Sequence, residues 1–232
     1  MTNENKYMMW IISLLGIFIL LSIVVMSGKT AGFDEAILLV MRNADDLSIA
    51  IGPQWLTETA RDITALGSII WLFGVSFMFA LISFLGNHKR IAYFIMTSTL
   101  GSWLISFSLK YLFSRARPDL ISREAEVYSQ SFPSAHALMT VSIYSALCLV
   151  ISRYLINASQ KVVLWASFIF LISAVGVSRL YLGVHWATDV FAGWILGSLF
   201  IIILCRWLNP IQHDSLQVFK QKQYEYQNKS EA

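Results

Sequence analysis

Hydrophobic and polar residues are segregated into long blocks along this chain. Six blocks are almost purely apolar, and each is close to the ~20 residues that a helix needs to cross a bilayer. The first runs over Tyr7–Ser27 and contains no charged residue. The other five run over about 66–85, 91–113, 134–151, 162–182 and 186–208. The pattern predicts an all-α polytopic membrane protein, folded as a six-transmembrane-helix bundle.

The long connection over residues 28–66 mixes polar and apolar positions. Within it, Phe33–Arg42 combines apolar positions with Asp34 and Glu35, a pattern typical of a short helix lying on the membrane interface. A second short helix is predicted to begin near Pro53. We interpret this connection as a solvated loop with an interfacial helix, in preference to a direct catalytic role.

Composition agrees with a membrane protein. The chain is 56% hydrophobic and 13% charged, whereas globular proteins are about a quarter charged. The net charge of +3 comes without a basic run, which argues against a nucleic-acid partner. Cys148 and Cys205 fall inside apolar blocks, where a thiol is typically a small hydrophobic group. We expect one membrane-embedded domain over residues 1–232, with a polar tail at about 210–232 that has no fixed structure.

The distribution of basic residues predicts the orientation. Six spans put both termini on one side of the membrane, and the tight basic turn His88–Arg90 favours the cytoplasm for that side. The loops at 28–66, 114–133 and 183–186 then share the opposite, extracellular or periplasmic side. We therefore expect a multi-pass cell-membrane protein with cytoplasmic termini.

The stretch Ser178–Asp189 carries three charged or titratable side chains between two apolar blocks. Charge at a membrane boundary is costly and suggests function. His185 and Asp189 are four residues apart, so that on a helix they would share one face. A carboxylate that holds one imidazole nitrogen leaves the other free to attack an electrophile. Arg179 adds a planar donor group suited to phosphate oxygens.

Two further clusters are predicted on the same side. Lys110 and Arg117 are seven residues apart, and a continuing helix would place both on one stripe. Pro133–His136 precedes the fourth span, where free backbone N–H groups at a helix start can hold an anion. Taken singly, these residues are equally compatible with snorkelling cations, an ordinary helix cap and a structural histidine. Together they predict a phosphate pocket with a nucleophile and a proton donor.

The order and spacing of these residues resemble the three-part signature of the type 2 phosphatidic acid phosphatase superfamily, in its bacterial membrane lipid-phosphatase branch. The matching residues are Lys110 with Arg117-Pro118, then Pro133-Ser134-Ala135-His136, then Ser178-Arg179 with His185 and Asp189. The family usually has glycine where this chain has Ala135. The methyl group of Ala135 would affect the size of the accepted substrate or the rate of the reaction, whereas the expected reaction class is unchanged.

The resemblance implies a role for each matched residue. His185 would attack phosphorus and form a phosphohistidine, Asp189 would orient His185, and His136 would protonate the leaving oxygen. The expected phosphate-binding residues are Lys110, Arg117, Ser134, Ala135 and Arg179. The resemblance implies neither a metal nor another cofactor, since protein cations would neutralise the phosphate.

The resemblance also implies the substrate class, a lipid phosphomonoester or diphosphate such as phosphatidate, phosphatidylglycerol phosphate or undecaprenyl diphosphate. The expected partners are this lipid and the bilayer, and the oligomeric state stays open. A membrane phosphotransferase that uses the same site is an alternative. A non-enzymatic anion transporter is less favoured, because transporters place charges near the midplane of several spans, whereas here they cluster at one edge.

Overall fold

The computed structural model describes residues 3–119 and 129–208. Within these two ranges the fold consists of helices and one isolated β-bridge between Arg42 and Ala50. The eight helices are α1 (Asn3–Met26), α2 (Ala31–Val40), α3 (Gln54–Ala65), α4 (Ile69–Leu85), α5 (Lys89–Phe113), α6 (Ala135–Ile151), α7 (Ala158–Tyr181) and α8 (Ala187–Leu208). The predicted all-α class is confirmed. The predicted polar tail lies outside the described residues.

Several of these helices are suited to a membrane. Four of them, α1, α5, α7 and α8, are long and apolar enough to cross a bilayer. The pair α3 and α4, bent by 44° at its break, counts as a fifth crossing if it is taken as one span. Helix α6 is apolar but has only 17 residues. The prediction of a membrane protein is therefore confirmed, whereas the count of six spans stays a prediction.

Helix α6 forms the centre of the bundle. It packs against α4, α5, α7 and α8. Leu138, Met139 and Ile143 are all at most 1% exposed. A helix that is apolar all round needs neighbours on every side, and the longer helices of this bundle supply them. The start of α6 is consequently held in a fixed place at one end of the molecule.

Two glycines bring α8 unusually close to α6. A Cβ atom at Gly193 would lie 2.7 Å from the carbonyl oxygen of Ser134, and one at Gly197 would lie 2.6 Å from that of Leu138. Small residues four positions apart allow helix backbones in a membrane to approach each other in this way. At the same end of the pair, the Ser134 N–H donates to the Asp189 carbonyl at 3.0 Å. The starts of α6 and α8 are thus joined directly through the backbone.

The connection over residues 28–66 differs from the predicted solvated loop. Asp34 and Leu38 of α2 are completely buried, and the Arg42 guanidinium donates to the Tyr181 carbonyl at 2.9 Å. Ala50 and Ala60 pack against the turn that follows α7. The two predicted short helices are present as α2 and α3. The predicted solvation was wrong for Asp34 and Arg42, which are buried and have partners in distant parts of the chain.

The start of α1 and the end of α8 lie together at the opposite end of the bundle. Arg206 donates to the Glu4 carboxylate at 2.8 Å, an exposed ion pair that is worth little energy but reports their proximity. The starts of α6 and α8 and the ends of α5 and α7 consequently share the other end. This arrangement gathers the segments with charged motifs at a single end.

We predict that Gly197→Ala destabilises the protein, whereas Gly16→Ala does not. The new methyl at position 197 would meet the Leu138 carbonyl and the Cβ of Val141, which cannot rotate away. Overpacking of this kind costs about 1–3 kcal/mol, which outweighs the gain of up to about 1 kcal/mol in helix propensity. Gly16 of α1 has nothing within 4 Å of such a methyl. Thermal unfolding midpoints in detergent test the pair, and equal midpoints would contradict the close contact.

Candidate active site

A pocket of about 370 Å³ lies at the end of the bundle where the charged motifs meet. Six of the eight predicted site residues line it: Lys110, Arg117, Ala135, His136, Arg179 and His185. The other two, Ser134 and Asp189, are fully buried. Ser134 contacts the first turn of the helix that carries Ala135 and His136, and Asp189 contacts His185. The structure therefore brings together residues that are up to 79 positions apart in the sequence.

His185 and Asp189 are in contact, although they do not share a helix. Helix α7 ends at Tyr181 and α8 begins at Ala187, so that His185 lies in the intervening turn. Its Nδ1 is 3.3 Å from Oδ2 of Asp189, in the first turn of α8. The same oxygen accepts the Trp186 N–H at 2.9 Å and the Ser131 hydroxyl. The predicted contact is present, and the predicted common helical face is wrong.

The partners of His185 indicate its tautomer. Arginine can only donate, and Nη1 of Arg117 lies 3.3 Å from Nε2 of His185. Nε2 therefore carries the lone pair and Nδ1 carries the proton that faces Asp189. Burial, followed by the positive charges of Arg117, Lys110 and Arg179, holds the pKa of His185 well below its usual range. Both effects favour the neutral form of the ring, which is the form that a nucleophilic imidazole requires.

Lys110 and Arg117 reach the pocket by different routes. Helix α5 ends at Phe113, and Ser114 has a left-handed φ of 46°, so that Arg117 follows in an irregular segment. The predicted helical stripe through both residues is therefore wrong. The Arg117 Nε donates to the Ser129 carbonyl at 2.6 Å, and the Lys110 ammonium donates to the Gln130 carbonyl. Both cations are thus positioned by the backbone carbonyls of Ser129 and Gln130.

Arg179 is the third cation of the pocket. It lies in the last turn of α7 and is only 5% exposed. Its Nη1 donates to the Thr64 hydroxyl at 2.9 Å, whereas its Nε is buried without a hydrogen-bond partner among the described residues. An unsatisfied buried donor is costly. A bound anion in the pocket would supply the missing acceptor.

The start of α6 forms another wall of the pocket. Ser134 is the N-cap, and its side-chain oxygen faces the Ala137 N–H at 3.5 Å. Pro133 precedes this cap and lies outside the first helical turn. The N–H groups of Ala135 and His136 are in that first turn, where they have no partner within the helix. The predicted anion-binding roles of Ser134 and Ala135 stay predictions.

Sequence reasoning missed a group of polar residues around Asp189. Arg115 donates from Nη1 to Oδ1 of Asp189 at 2.6 Å and from Nη2 to Oδ2 of Asp34 at 2.7 Å. Asp34 also accepts the backbone N–H of Thr188 at 2.9 Å and its hydroxyl at 2.8 Å. No local spacing links Asp34 to Arg115, 81 positions later. The one available signal was a pair of acidic residues, Asp34 and Glu35, in an otherwise apolar helix.

Comparison with known proteins agrees with this geometry. Phosphatidylglycerophosphatase B of Bacillus subtilis is 29% identical over 201 residues, covering 83% of this chain and 92% of the relative. Undecaprenyl-diphosphatase of Sulfolobus acidocaldarius is 25% identical, covering 84% and 88%. Lipid A 1-phosphatase of Rhizobium etli is 24% identical, covering 73% and 82%.

The fold has a counterpart among solved structures. A crystal structure of a transmembrane PAP2 type phosphatidylglycerolphosphate phosphatase from Bacillus subtilis superimposes with a TM-score of 0.77 at 24% identity, covering 88% of this chain and 98% of that one. At this identity the likeness concerns the fold. The expected class, a membrane lipid phosphatase, is confirmed by the three curated relatives, each of which is named as such an enzyme.

The motif resemblance is confirmed by a match to a whole family. The family described as the PAP2 superfamily matches residues 91–212. This range spans more than half of the 232 residues and includes all eight predicted site residues. The chain therefore belongs to the PAP2 superfamily.

Proposed function

We propose that this phosphatase removes a terminal phosphate from a membrane lipid through a covalent intermediate on His185. The observation that carries the proposal is the contact of Nδ1 of His185 with Asp189, in a pocket that also holds Lys110, Arg117 and Arg179. This set supplies a neutral nucleophile, a carboxylate that orients it, and cations for the non-bridging oxygens of a phosphate.

In the first step, Nε2 of His185 attacks phosphorus while the bond from phosphorus to the lipid oxygen breaks. The phosphate takes the place of Nε2 as the acceptor of Arg117, whose Nη1 lies 3.3 Å from Nε2. The imidazole becomes positively charged as the new bond forms. Asp189, at 3.3 Å from Nδ1, stabilises that charge.

His136 acts on the other side of the phosphate. It lines the same pocket from the first turns of α6. In its protonated form, which the negative charge of the bound phosphate favours, it donates a proton to the departing lipid oxygen and becomes neutral. In the second step the neutral ring takes a proton from the water that attacks the phosphohistidine. The bond between phosphorus and His185 then breaks, which releases phosphate and restores the neutral ring.

The lipid substrate is proposed from the apolar side of the pocket and from the names of the relatives. Ile69 and Met139 line the pocket beside the cations, so that an acyl or prenyl chain can lie against them. Those relatives are named for phosphatidylglycerol phosphate, undecaprenyl diphosphate and lipid A. We propose phosphatidylglycerol phosphate, undecaprenyl diphosphate or phosphatidate for this chain. Phosphate release by purified protein across a panel of these lipids tests the proposal, and no release from any of them would refute it.

The two histidines are predicted to respond differently to the leaving group. His136→Ala should be impaired by about 10²–10⁴-fold on phosphatidate, whose alkoxide needs a proton, and much less on p-nitrophenyl phosphate. His185→Ala should be inactive on both, because no leaving group replaces the nucleophile. The measurement is kcat/KM for both variants on both substrates, with thermal unfolding as the control for folding.

Each variant has its own contradicting result. Equal losses of His136→Ala on the two substrates would remove its role as an acid. Activity of His185→Ala on the activated substrate would remove the covalent mechanism.

We predict that turnover persists in EDTA and that vanadate inhibits it. Lys110, Arg117 and Arg179 provide the positive charge that a divalent metal supplies in other phosphatases. Vanadate would mimic the five-coordinate phosphorus and compete with the substrate. Phosphate release is measured with and without chelator, followed by addition of magnesium. Activity that disappears in EDTA and returns with magnesium would contradict the prediction.

The site is proposed to face the extracellular or periplasmic side. Ser48 lies exposed in the connection from α2 to α3, at the same end as the pocket, and Gln160 lies exposed at the start of α7, at the other end. After replacement of Cys148 and Cys205, Ser48→Cys should react with an impermeant thiol reagent on intact cells. Gln160→Cys should react only after lysis. The reverse pattern would turn the site toward the cytoplasm.

A further inference from the structure

Arg115 lies between two buried carboxylates. Its Nη1 donates to Asp189 at 2.6 Å and its Nη2 donates to Asp34 at 2.7 Å. Both carboxylates are 0% exposed, and the arginine side chain is 15% exposed. Short, charge-assisted contacts of this kind fix the orientation of the groups that make them. The single guanidinium therefore ties α2 to the first turn of α8.

Thr188 closes this arrangement into a ring. Its hydroxyl accepts from Arg115 at 2.8 Å and donates to Asp34 at 2.8 Å, and its backbone N–H donates to the other oxygen of Asp34 at 2.9 Å. Since Thr188 directly precedes Asp189, the position of Asp34 determines where the start of α8 lies. Each oxygen of Asp34 thus has a partner on α8.

The charges in the ring are unequal in number. With Asp34, Arg115 and Asp189 all ionised, one positive charge balances two negative charges, and the three groups carry a net charge of −1. Without Asp34, the charges of Arg115 and Asp189 would cancel. In a buried site such charges are poorly screened. The surplus negative charge therefore faces His185, which becomes positive when it binds phosphorus.

Neither Asp34 nor Arg115 lines the phosphate pocket. Both line a separate pocket of about 250 Å³, together with Glu35 and Trp186. They contact the reacting groups only through Asp189. Asp34 and Arg115 are therefore placed to position Asp189 and not to touch the substrate.

We infer that Asp34 and Arg115 are a positioning pair that holds Asp189 against His185 and keeps a net negative charge there for the phosphohistidine. The inference rests on the proposed covalent mechanism and deepens it. It assigns a function to α2, a helix outside the three motifs, and to an arginine that lies between the two cations of the first motif.

The test uses Asp34→Asn, with Glu35→Gln as its matched control. Both variants remove one negative charge from α2, but it is the Asp34 carboxylate that accepts from Arg115, at 2.7 Å. Asp34→Asn should lower kcat by about 10²-fold, the size of effect expected when a catalytic group is misplaced by about 1 Å. Glu35→Gln should stay within about twofold of the wild type, as a substitution that leaves transition-state contacts intact.

Two further readouts separate positioning from general damage. The KM and the inhibition constant of inorganic phosphate should change by less than about threefold in Asp34→Asn, because the phosphate-binding cations are untouched. The loss of kcat should be the same on phosphatidate and on p-nitrophenyl phosphate, since it acts on the nucleophile. A loss confined to one substrate, or a rise in KM that explains the whole defect, would overturn the inference.

The charge argument is tested by a double variant. Arg115→Gln removes the cation between the Asp34 and Asp189 carboxylates and changes their net charge to −2. The double variant Asp34→Asn/Arg115→Gln restores the net charge to −1, which then lies on Asp189 alone. The double variant should lose less kcat than the product of the two single losses. Single losses that multiply would show independent residues and overturn the pairing.

Thr188→Val keeps the test decisive if the charge variants do not fold. It removes the hydroxyl of the ring and retains all three charges, and it should lower kcat by about tenfold at unchanged KM. Wild-type kcat in Thr188→Val, with Asp34→Asn folded and active, would refute the positioning role. Absence of phosphate release by the wild type itself would refute the proposed function instead, so the two failures are distinguishable.

Discussion

The structure depends on the burial of charged groups at one end of an apolar bundle. Asp189 is completely buried, and an unpaired carboxylate there would cost several kcal/mol. Its oxygens accept from Arg115, Ser131 and the Trp186 backbone, in addition to facing His185. These partners come from three separate stretches of the chain: the segment after α5, the segment before α6 and the turn between α7 and α8. Satisfying one carboxylate therefore draws the segments around it into fixed positions.

The apolar packing supports the same end of the molecule. Phe132 is completely buried and contacts the rings of Phe18 and Phe113, at centroid distances of 6.2 Å and 5.0 Å. This anchor lies next to Ser131 in the sequence, so that hydrophobic contacts with α1 and α5 hold a hydroxyl against Asp189. Hydrophobic burial and polar pairing thus act on adjacent residues. The proposed function of the segment before α6 therefore rests on neighbours in the bundle that restrain it.

Much of this arrangement could be predicted from the sequence. Apolar blocks of about 20 residues indicate helices because a helix of that length is needed to span the bilayer. Six of the observed helices begin and end within a few residues of those blocks. The spacing of His185 and Asp189 predicted their contact, because four residues span little distance in a helix or in a turn. The motifs also predicted most of the pocket, since each combines a titratable or cationic side chain with a helix end.

The remaining features were beyond such reasoning for physical reasons. The left-handed Ser114 ends α5 and redirects Arg117, and no glycine announces this change of direction. Asp34 was assigned to solvent because a carboxylate in a short amphipathic helix usually faces water. Its actual partners, Arg115 and Thr188, are 81 and 154 positions away. Pairings at such separations have no local pattern, so that only the folded chain reveals them.

The close approach of α6 and α8 has a consequence for how accurately the two helices are aligned. Ala135 and His136 belong to one helix and Asp189 to the other, and a slip by one residue would displace them by about 1.5 Å. Such a slip would move Gly193 and Gly197 away from the Ser134 and Leu138 carbonyl oxygens, beside which there is no room for a Cβ atom. Side chains would then collide with the backbone of α6. The alignment of the reacting groups is therefore kept by two positions at which the chain has no side chain.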